Sequence, residues 1–151
     1  MRNSQPLMYE RISHRLDRLS HTHGPSALRI SIGVVFLWFG ALKCFPNVSP
    51  AETIAVDTLK TLSLGLVPAR ALVLCLAAFE IAVGMCFLCG AFRKVALPLL
   101  VVHMLGTGLP FFFFPSQLFD HCPLIPSLLG QYILKNIIIL GAAIVLRPRW
   151  R

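Results

Sequence analysis

Glu80 and His103 each stand near the middle of a long apolar run, where an ionisable side chain is expensive unless something receives it. Glu80 lies about midway along residues 68–90, and His103 about midway between Lys94 and Phe114. In membrane-crossing helices, both would sit near the bilayer midplane, roughly 15 Å from either end at about 1.5 Å per residue. Lys135 falls one to two turns inside the outer edge of a further apolar run. Gln131 is one turn above it on the same face, and Asn136 adjoins it. Lys43 closes the first apolar run. A charge at the bilayer centre costs about 2.5–3.5 kcal/mol by insertion scales, so such groups turn inward and pair. The spacing therefore predicts an intramembrane polar cluster of Lys43, Glu80, His103, Gln131, Lys135 and Asn136. In it, Glu80 pairs with Lys135 or Lys43, with His103 close by. Three kinds of work are open to such a cluster: fixing helix register, binding a small lipophilic or redox-active ligand, or passing protons or ions.

The cysteines and the remaining histidines offer less. Cys86 and Cys89 have redox-dithiol spacing, but they lie at the C-terminal end of a predicted helix, where the dipole opposes a thiolate. With Cys75 they read as small apolar packing residues. Cys44 and Cys122 follow the first and third apolar runs, so both fall on the outer side. They form a disulfide there, or remain two unpaired thiols. His21 and His23 have no third ligand nearby, so no metal site is expected.

The elements that must hold these residues are membrane helices. Hydrophobic residues make up 56% of the chain and charged residues only 13%, too few to cover a soluble domain of 151 residues. Four apolar runs, at 27–45, 68–90, 95–114 and 128–146, each approach the roughly 20 residues that cross a hydrocarbon core of about 30 Å. The expected fold is all-α: an antiparallel bundle of four transmembrane helices. Arg29 and Lys43 lie inside the ends of the first span, where long stems can snorkel to the head groups. Small residues share the polar faces: Gly33 and Gly40 with Lys43, Ala77 and Gly84 with Glu80, and Gly106 with His103. That pattern predicts close helix–helix seams.

Residues 1–26 form a separate basic arm, and residues 27–151 the transmembrane domain. In the arm, Met8, Ile12, Leu16 and Leu19 recur at helical steps, while Arg11, Arg15 and Arg18 occupy another face. This predicts an amphipathic helix lying on an anionic membrane surface, broken by the His21–Thr–His23–Gly–Pro25 stretch. In the first outer loop, Ser49, Pro50 and Glu52 carry the spacing of a capping box with proline at the first helical position, predicting a short helix over 50–62. In the second, prolines 110, 115, 123 and 126 surround phenylalanines 111 to 114. Ala91, Phe92, Arg93 and Lys94 close the turn between the second and third spans. Arg2, Arg11, Arg15, Arg18, Arg29, Arg93, Lys94, Arg147, Arg149 and Arg151 fall on one side of the membrane, and only Lys43, Lys60, Arg70 and Lys135 on the other. The basic side is cytoplasmic by the positive-inside rule, with both termini there and Trp150 as an interfacial anchor. The net charge of +8 is thus spent on topology and anionic lipid, and no nucleic-acid partner is expected.

Three segments together resemble the DoxX-like family of small bacterial membrane proteins. They are residues 28–43 with Arg29, Gly33, Gly40 and Lys43, followed by Phe45–Pro46 and Ser49–Pro–Ala–Glu52; Phe79–Glu80–Ile–Ala–Val–Gly84 with Gly90 and Arg93; and Gly130–Gln–Tyr–Ile–Leu–Lys135–Asn136. The resemblance covers roughly residues 28–146. It implies a four-helix protein of the bacterial inner membrane and a polar set drawn from Arg29, Lys43, Glu80, Gln131, Lys135 and Asn136. Relatives of this kind include subunits of a thiosulfate–quinone oxidoreductase and proteins linked to oxidative stress. The sequence holds no haem, flavin or iron–sulfur motif, so it is not expected to carry electrons alone. The first reading is an accessory membrane protein working with redox partners, whose polar cluster binds a quinone-like ligand or steadies the bundle. The alternatives are a membrane subunit of a sulfur-compound quinone oxidoreductase, or a small transporter. The oligomeric state is not legible.

Overall fold

The computed structural model describes residues 5–46, 48–49, 51–90, 93–120 and 124–146. Among them, eight helical segments run in order: α1 (Gln5–Lys43), α2 (Glu52–Leu62), α3 (Ala69–Cys89), α4 (Arg93–Gly108), α5 (Pro110–Phe113), α6 (Pro115–Leu118), α7 (Leu128–Leu134) and α8 (Asn136–Leu146). Four stretches are long and apolar enough to cross a membrane: Met8–Lys43, Ala69–Cys89, Lys94–Phe113 and Leu128–Leu146. Large apolar side chains such as Trp38, Val102, Ile138 and Ile144 stand exposed on their outer faces. Water would not tolerate that surface, and lipid does. The chain is a polytopic α-helical membrane protein.

The bundle closes as a ring, α1 beside α3, α3 beside α4, α4 beside α8, and α8 beside α1. The core is built from Ile32 and Phe36 of α1, Val83 and Phe87 of α3, Ala96, Leu100 and Met104 of α4, and Ala143 and Leu146 of α8. The ring is not uniform. α1 and α3 meet along a glycine seam. A Cβ on Gly33 would stand 2.8 Å from the Leu88 side chain, one on Gly40 2.8 Å from Ile81, and one on Gly84 2.8 Å from the Leu37 backbone nitrogen. The expected seam is therefore real at these positions. Gly106 behaves differently: a Cβ there meets nothing within 4 Å. It opens space instead of closing it.

Two arginines fasten the seam at its ends. Arg29 donates to the Phe87 carbonyl and, at 2.8 Å, to that of Leu88, where α3 runs out of backbone partners. Gly90 follows in the left-handed conformation (φ +63°), with the Arg29 guanidinium against it. At the opposite end Arg70 donates to the Cys44 carbonyl at 2.6 Å and to that of Lys43 at 3.4 Å, satisfying the last carbonyls of α1. Arg29 and Lys43 do not snorkel. Arg29 spends its charge on helix-end carbonyls, and Lys43 turns into the bundle.

The arm is not a separate helix. α1 runs unbroken for 39 residues through Gly24 and Pro25, about 58 Å at 1.5 Å per residue, roughly twice the hydrocarbon core. Proline removes one ladder donor, but its fixed φ is itself helical, and the apolar run that follows propagates the helix. The expected boundary at residue 26 is therefore no structural break. Met8, Ile12, Leu16 and Leu19 are all exposed along the arm.

The first loop helix begins at Glu52, two residues later than expected, with the Glu52 N–H on the Ser49 carbonyl at 3.1 Å. Pro50 of the expected capping box lies outside the described residues, as do Ala91 and Phe92, Cys122 and Pro123, and the tail with Trp150. In the second loop α4 ends at Gly108, and Leu109 separates it from the next segment, which opens at Pro110. α6 then folds back on α7. The Leu118 carbonyl accepts from Ser127 N–H at 2.9 Å, and Ser127 Oγ accepts from Gly130 N–H at 3.1 Å as the α7 N-cap. A Cβ on Gly130 would fall 2.1 Å from the Leu118 oxygen. Gly130→Ala is therefore expected to cost about 2–3 kcal/mol in thermal unfolding. Gly108→Ala, where nothing lies within 4 Å, should cost nothing.

Candidate functional site

Antiparallel packing brings Lys43 and Glu80 together. Side chains on a helix lean toward its N-terminus. On antiparallel neighbours they therefore lean toward each other. The Lys43 stem reaches along the bundle from the end of α1, and its Nζ meets Glu80 Oε2 at 2.7 Å. The other carboxylate oxygen, Oε1, meets His103 Nε2 of α4 at 3.0 Å. All three side chains are more than nine-tenths buried. The His103 ring is held by two aromatics: Phe79 stacks on it at 5.7 Å with an interplanar angle of 7°, and Phe36 meets it edge-on at 5.1 Å. Three helices thus converge on one carboxylate.

The partner of Glu80 is Lys43, not Lys135. Lys135 is exposed on α7–α8 and rests its Nζ 3.7 Å from the centre of the Tyr132 ring, with Phe39 beyond at 5.9 Å. Gln131 is also exposed, and its amide donates to the Pro126 carbonyl at 3.1 Å. Asn136 turns inward and donates to Thr107 Oγ1 at 3.2 Å. Of the six expected residues, three meet directly, one lies near them through Thr107, and Gln131 and Lys135 stay on the outer side of the fourth span.

A cavity of about 230 Å³ lies against the cluster. Lys43, Glu80, His103 and Asn136 line it, together with Thr107 and Tyr132. Phe36, Phe39 and Phe79 supply aromatic wall, Gly106 leaves room, and α2 covers it with Ile54, Ala55, Thr58 and Leu59. An apolar cavity of roughly 150 Å³ accepts a benzene ring, so this one has space for a substituted ring. Thr107, Tyr132 and the α2 contribution were not legible from residue types. Thr107 had one signal: it lies four residues after His103, on the same helix face.

The cysteines do not join the site. Among the described residues Cys44, Cys75, Cys86 and Cys89 form no disulfide with one another, and Cys44, Cys75 and Cys89 are exposed. Only Cys86 packs against the core, because a helix with a lipid-facing side presents Cys75 and Cys89 outward. The pairing of Cys44 with Cys122 lies outside the described residues.

The sequence matches the family model described as DoxX over residues 24–114. The match includes Lys43, Glu80 and His103 and ends before the Gly130–Asn136 run. No curated protein and no solved structure matches the chain.

Proposed function

This chain belongs to the DoxX family, and on that premise we propose that it is an accessory, redox-linked protein whose intramembrane cavity binds a flat, lipophilic, quinone-like ligand. One observation carries the reading: a buried carboxylate with two buried nitrogen partners forms one wall of an aromatic-lined space large enough for a ring. Ligand pockets combine apolar walls with a few convergent polar groups in this way. Lys43 supplies a cation toward a ligand oxygen, Phe79 and Phe36 limit how a ring can lie, and Asn136 with Thr107 offers a second polar point one turn from His103. The protein sits in the bacterial inner membrane with both termini cytoplasmic, a placement supported by ten basic residues on one side against four on the other. The arm continues the first span on that side, and its arginines there are drawn to anionic head groups. Electron transfer from a sulfur compound would need a partner carrying the redox centre.

The test exploits Gly106. A Cβ there meets nothing within 4 Å, so Gly106→Leu should direct its side chain into the cavity without forcing the backbone, and leave the unfolding midpoint close to that of the wild type. Purified protein in lipid nanodiscs is expected to bind a short-chain benzoquinone, and Gly106→Leu to weaken that binding at least tenfold. Equal binding by the two proteins, or none by either, would reject the reading and leave a cluster that only fixes register.

A further inference from the structure

His103 Nδ1 is buried and has no hydrogen-bond partner among the described residues, although the ring carrying it lines the cavity. We infer that the ligand of this cavity presents a hydroxyl donor to His103, so that the site prefers the reduced, phenolic form of a ring (a quinol) over its quinone. The inference rests on the ligand-binding reading above and adds the chemical form that the site selects.

Proton bookkeeping at Glu80 carries the argument. An ionised carboxylate only accepts hydrogen bonds. Its Oε2 takes one from the Lys43 ammonium at 2.7 Å, and its Oε1 faces His103 Nε2 at 3.0 Å. The hydrogen at the second contact therefore belongs to Nε2. One ammonium and one carboxylate cancel, and a neutral imidazole keeps the enclosed site free of net charge, as an apolar membrane interior demands. With the hydrogen on Nε2, the other ring nitrogen of a neutral imidazole carries a lone pair and is an acceptor. No described residue donates to it.

The ring has little freedom to seek a partner elsewhere. Its Nε2 is tied to Glu80, one face is covered by Phe79 at an interplanar angle of 7°, and Phe36 meets it edge-on. A buried acceptor left without a donor is a standing cost, which a ligand that brings a donor removes. A quinone carbonyl cannot do so, because it only accepts. A phenolic hydroxyl donates, and its oxygen can still accept, which suits the Lys43 ammonium on the same wall. Aromatic lining and an unfilled acceptor together specify a hydroxyl-bearing ring.

The experiment compares three probes on the wild-type chain in nanodiscs under anaerobic conditions: a short-chain benzoquinol, its dimethyl ether and the matching benzoquinone. The quinol is expected to bind about tenfold more tightly than either of the others, equivalent to about 1.4 kcal/mol. In His103→Phe a ring remains packed between Phe79 and Phe36 while the acceptor is lost, and the preference should fall to twofold or less. Equal affinity for quinol and ether, or tighter binding of the quinone, overturns the inference while leaving the cavity a ligand site. Retention of the full tenfold preference by folded His103→Phe overturns the role given to Nδ1. Failure of all three probes to bind removes the ligand-binding reading itself, and this inference with it.

Discussion

Glu80→Ala should destabilise the folded bundle by about 3–5 kcal/mol, because it leaves the Lys43 ammonium buried without its counter-charge and His103 Nε2–H without an acceptor. Reversible unfolding in mixed micelles, or steric trapping in bicelles, would measure it. The pair matters less than its breaking. Removing both charges together, in Lys43→Met with Glu80→Gln, should recover most of the loss, since an amide still accepts from His103 and no unpaired charge remains. A double mutant as unstable as Glu80→Ala would mean that the ion pair itself, not an orphaned charge, holds the helices. This cycle separates architecture from ligand binding. Stability should return in the double mutant, whereas ring binding should not.

The second large effect belongs to the α1–α3 seam. Gly84→Leu places a Cβ 2.8 Å from the Leu37 nitrogen and 2.9 Å from the Gly33 carbonyl oxygen. Both are backbone atoms of a helix and cannot swing aside, so the helices must separate along their length. The expected cost is about 3 kcal/mol or more, with loss of ligand binding as Lys43 draws away from Glu80. Gly141→Leu on α8 is the control. Nothing lies within 4 Å of a Cβ there, and its effect on the unfolding midpoint should be within about 0.5 kcal/mol. Equal effects at the two positions would show that seam contact does not decide stability.

Why some of this was legible in the sequence follows from which forces were local. Span positions came from apolar length alone, and the structure keeps them nearly to the residue for α3 and for Leu128–Leu146. Glu80, His103 and Lys43 came from the cost of charge at depth, a force that acts wherever the span sits. The choice of Lys43 over Lys135 was not readable. It depends on which face of the fourth span turns inward, and Lys135 and Gln131 turn outward while Asn136 turns inward. The reading of Gly106 as a seam residue failed for the same reason: a glycine signals close approach only where a neighbour is present. Pro25 was misread because proline was treated as a stop, when it deletes only one donor from a helix that continues on both sides. The cover provided by α2 required knowing how a loop folds back over the bundle, which no local spacing records.

The seam has a consequence for how the protein is made. Every residue that locks α1 to α3, from Arg29 through the three glycines to Arg70 and Gly90, lies in the first ninety positions of the chain. A hairpin with its steric fit and both end clamps is thus complete in sequence before α4, α7 and α8 have been synthesised. Lys43 and Glu80 can meet at that stage, whereas His103 cannot. The later helices then dock onto a finished pair and enclose the cavity as they arrive. Errors in the seam would therefore strike during synthesis and membrane insertion, while changes in the α4 and α8 core would strike only once those helices dock.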